Sequence, residues 1–592
     1  MSEKPQTDSV AGLAPYPGSK GIPRWDLGEL PDAPTFTWKN WIGMVGPGLL
    51  MGGLAIGGGE WLMGPIITAK FGGGLLWLAL FSLLGQLIYN IEISRYALYT
   101  GEPIFTGKFR TLPGPMFWVG VYVLLDLGTL FPYVASASAT PLVALVTGEL
   151  PDPIKDEALL RNVAIGVLVV SMIPLVIGGK IYNGLKLLMA FKLFTILGFL
   201  FVVALLYSTR STWSEIVAGF VQVGNVPVLK GEDLNGDGVL NEGEDWDGDG
   251  HLDVVEEKYA MDLDTDNDGK NDDWSDRNND GKKDKFNDVD GDGIRDGSRT
   301  ENVFAALLEG RFPAIDTTMI AFLCALVAIS GGGGLGNSPI SNYTRDQGWG
   351  MGAHVGAIPT FIGGHQYQLS HVGMVFEVNE ESLPRWKRWY NHVRRDQLFV
   401  WFPACVFGVA LPAMLSLQFL PRGFEVDNQW LASVMTADAI RDHVGDRWGY
   451  FFWFMTVFCG FLVLGFSVAP ATDGFIRRWI DVFWTASGSM RKLDPKSIRY
   501  VYFGLLAAYT IWSAVILYIS KPTTLLLIAG LFMNFAMGAT MLHSLFVNSL
   551  LLPRELRPNW FSRLCLFLAA MFFFAVATIS TWITVQEKFV NV

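Results

Sequence analysis

Cysteine and histidine are scarce, with four Cys and seven His among 592 residues. Cys324, Cys405, Cys459 and Cys565 each fall inside an apolar run, and their separations fit neither a disulfide framework nor a metal-ligand set. All four read as small core residues. His354, His365 and His371 share one polar stretch without ligand spacing. No GxxxxGK[ST] loop is present, which argues against ATP-driven transport. A nucleophile–base pair or a His/Asp metal cluster is also missing from the apolar runs, so a membrane enzyme has no support. No basic-then-apolar leader opens the chain. Residues 1–38 are polar and rich in Pro and Gly, the composition of a disordered tail and not of a signal peptide.

Apolar residues are plentiful: 51% of the chain is hydrophobic, with 41 Phe and 21 Trp, and the mean hydropathy is +0.32. Runs of roughly 20 apolar residues suffice to cross a bilayer. They recur near 42–64, 74–97, 115–147, 161–179 and 185–208, and again near 315–345, 397–420, 449–472, 499–519, 523–549 and 560–586. The expected fold is an all-α polytopic membrane protein with eleven spans. Its parts are a cytoplasmic tail (1–38), spans one to five (39–224), a polar insert (225–302), spans six to ten (303–550) and span eleven with the C-terminus (551–592). The net charge of −12 comes from the insert, where residues 231–300 hold 24 acidic against 8 basic side chains. The remainder holds 36 basic and 32 acidic residues and is mildly basic. Lipid, calcium and a small solute are the expected partners; nucleic acid is not.

Basic residues follow every even-numbered span: Arg95, Lys108 and Arg110; Lys180 and Lys186; Arg385, Lys387, Arg388, Arg394 and Arg395; Arg477, Arg478, Arg491 and Lys492; Arg554, Arg557 and Arg563. The excess of Lys and Arg in cytoplasmic loops then places these loops and the N-terminus inside the cell. The insert lies outside the plasma (inner) membrane.

Glycine is concentrated where a helix can least tolerate it. The first span contains Gly57, Gly58 and Gly59 followed by Glu60. Each glycine costs roughly 1 kcal/mol of helix propensity relative to alanine, so the helix is expected to unwind there. Unwound backbone at membrane depth must be buried in protein or line a cavity, and an ionisable group at that depth is a functional-site candidate. The sixth span repeats the anomaly at Gly331–Gly334, Gly336, Asn337 and Pro339. Glycine-interrupted segments in corresponding positions of two halves point to a binding site at the midplane of an inverted repeat. Gly57, Gly58, Gly59, Glu60, Gly333, Gly334, Gly336 and Asn337 are therefore the candidate substrate or coupling residues. Asp126, isolated in the third span, is another, unless it is held in a structural hydrogen bond. Two ion pairs are expected, Glu92 with Arg95 and Asp473 with Arg477. His543 and Asn534 in the tenth span read as buried, hydrogen-bonded residues.

The insert carries five copies of a calcium-loop pattern. Asp233, Asn235, Asp237, Val239, Asn241 and Glu244 fit D-x-[DN]-x-[DN]-G-x5-E, as do Asp245, Asp247, Asp249, His251, Asp253 and Glu256. Val239 and His251 would offer backbone carbonyls at the seventh position. Shorter copies comprise Asp264, Asp266, Asp268 and Asp272; Asp276, Asn278, Asp280 and Asp284; and Asp288, Asp290, Asp292 and Asp296. Ser275, Asn287 and Arg299 replace the twelfth-position glutamate in these three. Most copies abut without room for flanking helices, so the segment resembles thrombospondin type-3 calcium repeats more than paired EF-hands. Structural Ca2+ is the cofactor expected.

The membrane part resembles the natural-resistance-associated macrophage protein (Nramp) family of proton-coupled divalent-metal transporters. The residues that carry the likeness are Gly46-Pro47-Gly48, the break twelve to fifteen residues into that motif, the turn Thr100-Gly101-Glu102 and the stretch Leu552–Pro558. The resemblance implies a leucine-transporter-like 5+5 inverted repeat with helices one and six broken. It also departs from the family, whose Asp-Pro-Gly-Asn break is here Gly57-Gly58-Gly59-Glu60 and whose sixth-span Met-Pro-His is a glycine run. The family's metal ligands do not carry over. The expectation is a secondary transporter of a small solute, foremost a divalent cation, coupled to protons. With Glu60 and carbonyls but no thioether or imidazole, the site would suit a hard ion such as magnesium or calcium. An organic-solute transporter, or a calcium-dependent receptor or adhesion protein, are the alternatives.

Clustered carboxylates repel one another until a cation neutralises them. Calcium is thus expected to protect residues 233–296 of the full chain from limited proteolysis. Equal cleavage in calcium and in chelator would refute it.

Overall fold

In hydrocarbon the backbone must satisfy its own polar groups, and helices do this within one segment. The computed structural model describes residues 22–35, 37, 45–176, 181–228, 274–275, 284–285, 300–308, 310, 312–313, 315–356, 370, 372–420, 430–445, 447–493 and 497–589. Among them ten helical stretches are long and apolar enough to cross a membrane. They are Pro47–Leu75, Trp77–Thr100, Leu127–Thr147, Glu157–Val176, Ile181–Tyr207, Ser382–Phe419, Gly449–Ala486, Ile498–Ile519, Thr524–Leu551 and Trp560–Ile583. The sixth crossing consists of two shorter pieces, Ile320–Ile329 and Pro339–Asp346. The first is also split, into Pro47–Ala55 and a π-turn Gly59–Met63 that continues as Gly64–Phe71. Each set of five helices thus begins with a broken one. The fold is a helical, leucine-transporter-like inverted repeat.

The motifs behind the family resemblance have structural work to do. Gly46 and Gly48 stand at the start of span one, where orphan amides need an acceptor. Asp396 supplies it, taking the Gly46 N–H at 2.9 Å and the Gly48 N–H at 2.6 Å. A Cβ on Gly48 would collide with that carboxylate. Glu102 of the Thr-Gly-Glu turn pairs with Arg110 and accepts from Trp25 Nε1 at 2.9 Å, Tyr96 Oη at 3.1 Å and Gly373 N at 3.1 Å. In the Leu552–Pro558 stretch, the Leu556 carbonyl receives Arg95 Nη1 at 2.9 Å, while Arg95 Nε reaches Glu92 at 2.8 Å.

Several expectations need correction. Residues 22–35 are not a free tail: Ile22, Trp25, Leu30 and Ala33 are buried, and Asp26–Leu27 pairs in parallel with Met374–Val375. Trp25 packs edge-on against Tyr96 and Tyr99 and bonds Glu102 of the Thr100–Glu102 corner, a contact that average composition conceals. The third run is interrupted at Asp126 and again at Phe131-Pro132. The positive-inside count also included residues that are not loop charges. Arg95, Lys108, Arg477 and Arg478 are buried in helices, and Arg110 is buried in the turn that follows Ile104–Phe109. The ends of the insert pair as antiparallel strands, Asn225–Pro227 with Thr300–Asn302. The positions expected to bind calcium between 233 and 296, apart from the backbone of Asp284 opposite Ser275, lie outside the described residues, as do His365 and His371.

The Asp473–Arg477 pair anticipated from its spacing is present at 2.7 Å and belongs to a larger network. Arg477 also meets Asp346 of span six, and Tyr343 and Tyr502 donate to Asp473 at 2.9 and 2.6 Å. Arg345 bridges Asp346 and Asp481, at 3.0 Å each. All three carboxylates and both arginines are buried. Arg477→Met would leave Asp473 without a cation and Asp346 with Arg345 alone, and removing one partner of a buried pair costs about 3–5 kcal/mol. A clear drop in the melting temperature of the purified protein is expected, whereas substitution of exposed Arg388 should leave it unchanged.

Candidate functional site

The first half of span one ends at Ile56, and the helix resumes only at Gly59. Glycine is required here for close approach. A Cβ on Gly59 would stand 2.5 Å from the Ile329 carbonyl oxygen, and one on Gly58 would stand 2.6 Å from the Tyr133 ring. In span six, Gly331, Gly333 and Gly334 have φ of 84°, 54° and 51°, the left-handed region that side chains disfavour. The sequence-predicted breaks therefore exist, and they touch.

Glu60 joins them. Its Oε1 accepts the Gly331 N–H at 2.6 Å and its Oε2 accepts the Gly57 N–H at 3.1 Å. The side chain is wholly buried. Gln86 of span two does similar work for span six: its Oε1 accepts from Gly332 N at 2.9 Å and Asn337 Nδ2 at 2.6 Å, and its Nε2 donates to the Ser330 carbonyl at 2.6 Å. Asn337 Oδ1 and Ser330 Oγ are buried without a hydrogen-bond partner among the described residues.

A cavity of about 110 Å3 lies where the breaks meet. Gly57, Gly58, Gly331–Gly333 and Gly336 supply one side; Thr129, Tyr133, Ser467, Thr472, Arg478 and Met533 supply much of the rest. Of the predicted residues, Gly57, Gly58, Gly333 and Gly336 face the cavity. Glu60 and Asn337 stand behind it, bonded to the break backbone and to Gln86. Gly334 packs on Met533. Asp126 is ion-paired with Arg478 at 2.8 Å and accepts from Trp479 Nε1 at 2.8 Å and Thr129 Oγ1 at 2.7 Å. His543 is buried between Thr111 and Tyr122, at 2.8 and 2.9 Å, and Asn534 donates to the Cys324 carbonyl at 2.8 Å. Neither lines the cavity. Exposed His354 meets the Glu29 carbonyl.

Four residues escaped the sequence analysis. Met533 places a thioether in the cavity wall, contrary to the expected all-oxygen site. Tyr133 enters through the unforeseen third-span break, for which Gly128 and Pro132 were the available signal. Gln86 was visible only as a polar residue in an apolar run. Lys192 of span five is wholly buried, and its Nζ donates to the Ile56 carbonyl at 2.6 Å and to Ser467 Oγ. Among the described residues, no three His, Cys, Asp or Glu side chains come together as metal ligands.

Two broken helices that meet at a cavity, among helices long and apolar enough to cross a membrane, define the fold. Solved structures of the Eremococcus coleocola manganese transporter share it. A histidine-to-alanine mutant matches with a TM-score of 0.53 at 10% identity, covering 95% of this chain and 91% of that one. A glutamate-to-glutamine mutant matches with 0.53 at 11%, with the same coverage. A complex with an aromatic bis-isothiourea substituted compound matches with 0.52 at 10%, covering 94% and 90%. At such identity the likeness extends to the fold alone. No protein-family model matches the chain. No curated protein matches it either.

Gly59→Ala tests the contact between the breaks. The added methyl must push Ile329 away, and overpacking of this kind costs about 1–3 kcal/mol. A lower melting temperature is expected, while Gly166→Ala, where a Cβ meets nothing within 4 Å, should not lower it.

Proposed function

We propose that the chain is a secondary active transporter that moves a small divalent metal cation, coupled to protons. The observation that carries this is the meeting of two broken half-helices, joined by one buried carboxylate, at a cavity of about 110 Å3. An organic solute fits poorly: the cavity is smaller than one of about 150 Å3 that takes up benzene, and ligand pockets generally reach roughly 300–1,000 Å3. Unwound carbonyls and half-helix ends are suited to cations. Asn337 Oδ1 and Ser330 Oγ are acceptors in reserve beside the break. Met533 adds a thioether, a softer ligand than the oxygens around it, and so widens the range of suitable ions beyond magnesium, calcium and manganese. A receptor or adhesion protein would need one anchoring span, not a paired set of five. The fold shared with a manganese transporter supports a metal cargo.

Glu60 supplies the negative charge of the site. With the cavity closed, its oxygens are occupied by amides; with the breaks apart, they are free to meet a cation. Asp126, beside the cavity through Arg478, is a second coupling candidate. The insert is read as an extracytoplasmic calcium module with a structural role, on the strength of its five repeats.

The test is uptake of Mn2+, Mg2+, Ca2+ and Fe2+ by proteoliposomes containing the full chain, with melting temperatures measured on the same preparations. The wild type should accumulate at least one of them. Glu60→Gln does not preserve the bonding, because both carboxylate oxygens face N–H donors and the new amide nitrogen must oppose one. It should therefore lose stability as well as uptake. The decisive quantity is the increment in melting temperature from the transported ion, since a ligand that binds the folded state stabilises it. Binding at the insert contributes equally to both proteins, so the increment should be smaller in Glu60→Gln. Equal increments together with absent uptake would overturn the proposal.

A further inference from the structure

A lysine ammonium at the middle of a membrane is costly and needs compensating partners. Lys192 lies in the interior of span five with no exposed surface, and among the described residues it has no carboxylate within ion-pair distance. Its partners are instead the carbonyl of Ile56, the last residue before the first break, and the hydroxyl of Ser467. The end of a half-helix carries partial negative charge on unpaired carbonyls, and in broken-helix transporters such ends coordinate the coupling ion. Lys192 thus places a cation belonging to the chain itself where a coupling ion would sit.

Its surroundings contain little else that titrates. The Pro47–Ala55 segment has no ionisable side chain; Phe402–Phe419 has Cys405; Gly449–Gly465 has Tyr450 and Cys459; Ile173–Val176 has none. On span five itself Tyr182, Lys186 and Tyr207 are the others, and Lys186 is bonded to the Val45 carbonyl. Glu60 is the charge that faces Lys192 across the break. Ser467 donates to the Val463 carbonyl at 2.8 Å, which leaves its lone pairs for Lys192, and it also lines the cavity. The ammonium is therefore one hydroxyl away from the space that water and substrate would enter.

We propose that Lys192 is the proton-carrying residue of the transport cycle. Protonated, its ammonium ties the end of the first half-helix to Ser467 and keeps the break closed. When it gives its proton to water in the cavity, the neutral amine keeps two N–H groups but no charge, so its bonds to the Ile56 carbonyl and the Ser467 hydroxyl lose their charge assistance and the half-helix separates more easily from span eight. This inference rests on the transporter function proposed above.

Arginine keeps the charge and the donors but cannot release a proton. Purified full-length wild type and Lys192→Arg are compared in proteoliposomes, with Mn2+ as the probe and an internal pH dye. Proton movement should accompany Mn2+ in the wild type and be lost in Lys192→Arg. Proton movement in the variant at the wild-type ratio to Mn2+, or wild-type uptake without protons, would overturn the inference and leave metal transport standing. No Mn2+ uptake by the wild type would overturn both. Should Lys192→Arg not fold, Ser467→Ala removes one partner without altering charge. Its uptake should show a displaced pH profile, and an unchanged profile would equally overturn the inference.

Discussion

Breaking a helix in hydrocarbon leaves amides and carbonyls that no water can satisfy, and that debt determines how the centre of this protein is built. Span one cannot unwind at Gly57 unless something takes its free amides, and span six cannot unwind at Gly331 without the same. One carboxylate, Glu60, accepts from both. Gln86 takes the next amide of span six and returns a donor to the Ser330 carbonyl. Lys192 closes the carbonyl side at Ile56. Three polar side chains, drawn from spans one, two and five, thus make two breaks compatible with the membrane interior.

The two halves of span six are anchored differently. Its second half, Pro339–Asp346, is bound to span eight by the Arg345, Asp346, Arg477, Asp473 and Asp481 network. Its first half, Ile320–Ile329, packs on span ten through small residues, with Gly530 close to Ala325. Ion pairs hold one side of the break, while packing and neutral hydrogen bonds, from Asn534 to the Cys324 carbonyl and from Ser82 to the Val327 carbonyl, hold the other. Relative movement at the glycines then requires no ion pair to be broken, which is the arrangement expected of a hinge beside a cavity.

The outer layers serve this centre. Asp396 caps the start of span one, and Glu102 joins span two to the segment 22–35 through Trp25. Both carboxylates accept several N–H groups while buried, so each ties backbone from distant parts of the chain to one point. The Asp126–Arg478 pair does the same between the third-span break and span eight.

Several features could be read without coordinates because they are local. Spans follow from the length of apolar runs, breaks from glycines that no helix favours, and the Glu92–Arg95 and Asp473–Arg477 pairs from helical spacing. His543 and Asn534 were placed correctly as bonded residues because burial alone demands partners. What a side chain bonds to across the fold is not local. Nothing near residue 192 in sequence announces that its ammonium reaches Ile56, 136 positions away, or that Asp396 caps a helix 348 to 350 positions upstream. Basic residues counted as cytoplasmic charges proved to be buried partners for the same reason, since charge is visible in a sequence and its compensation is not. Sequence determined where the helices had to break; tertiary packing decided which side chains would satisfy the broken ends, because those partners meet only once the spans have assembled.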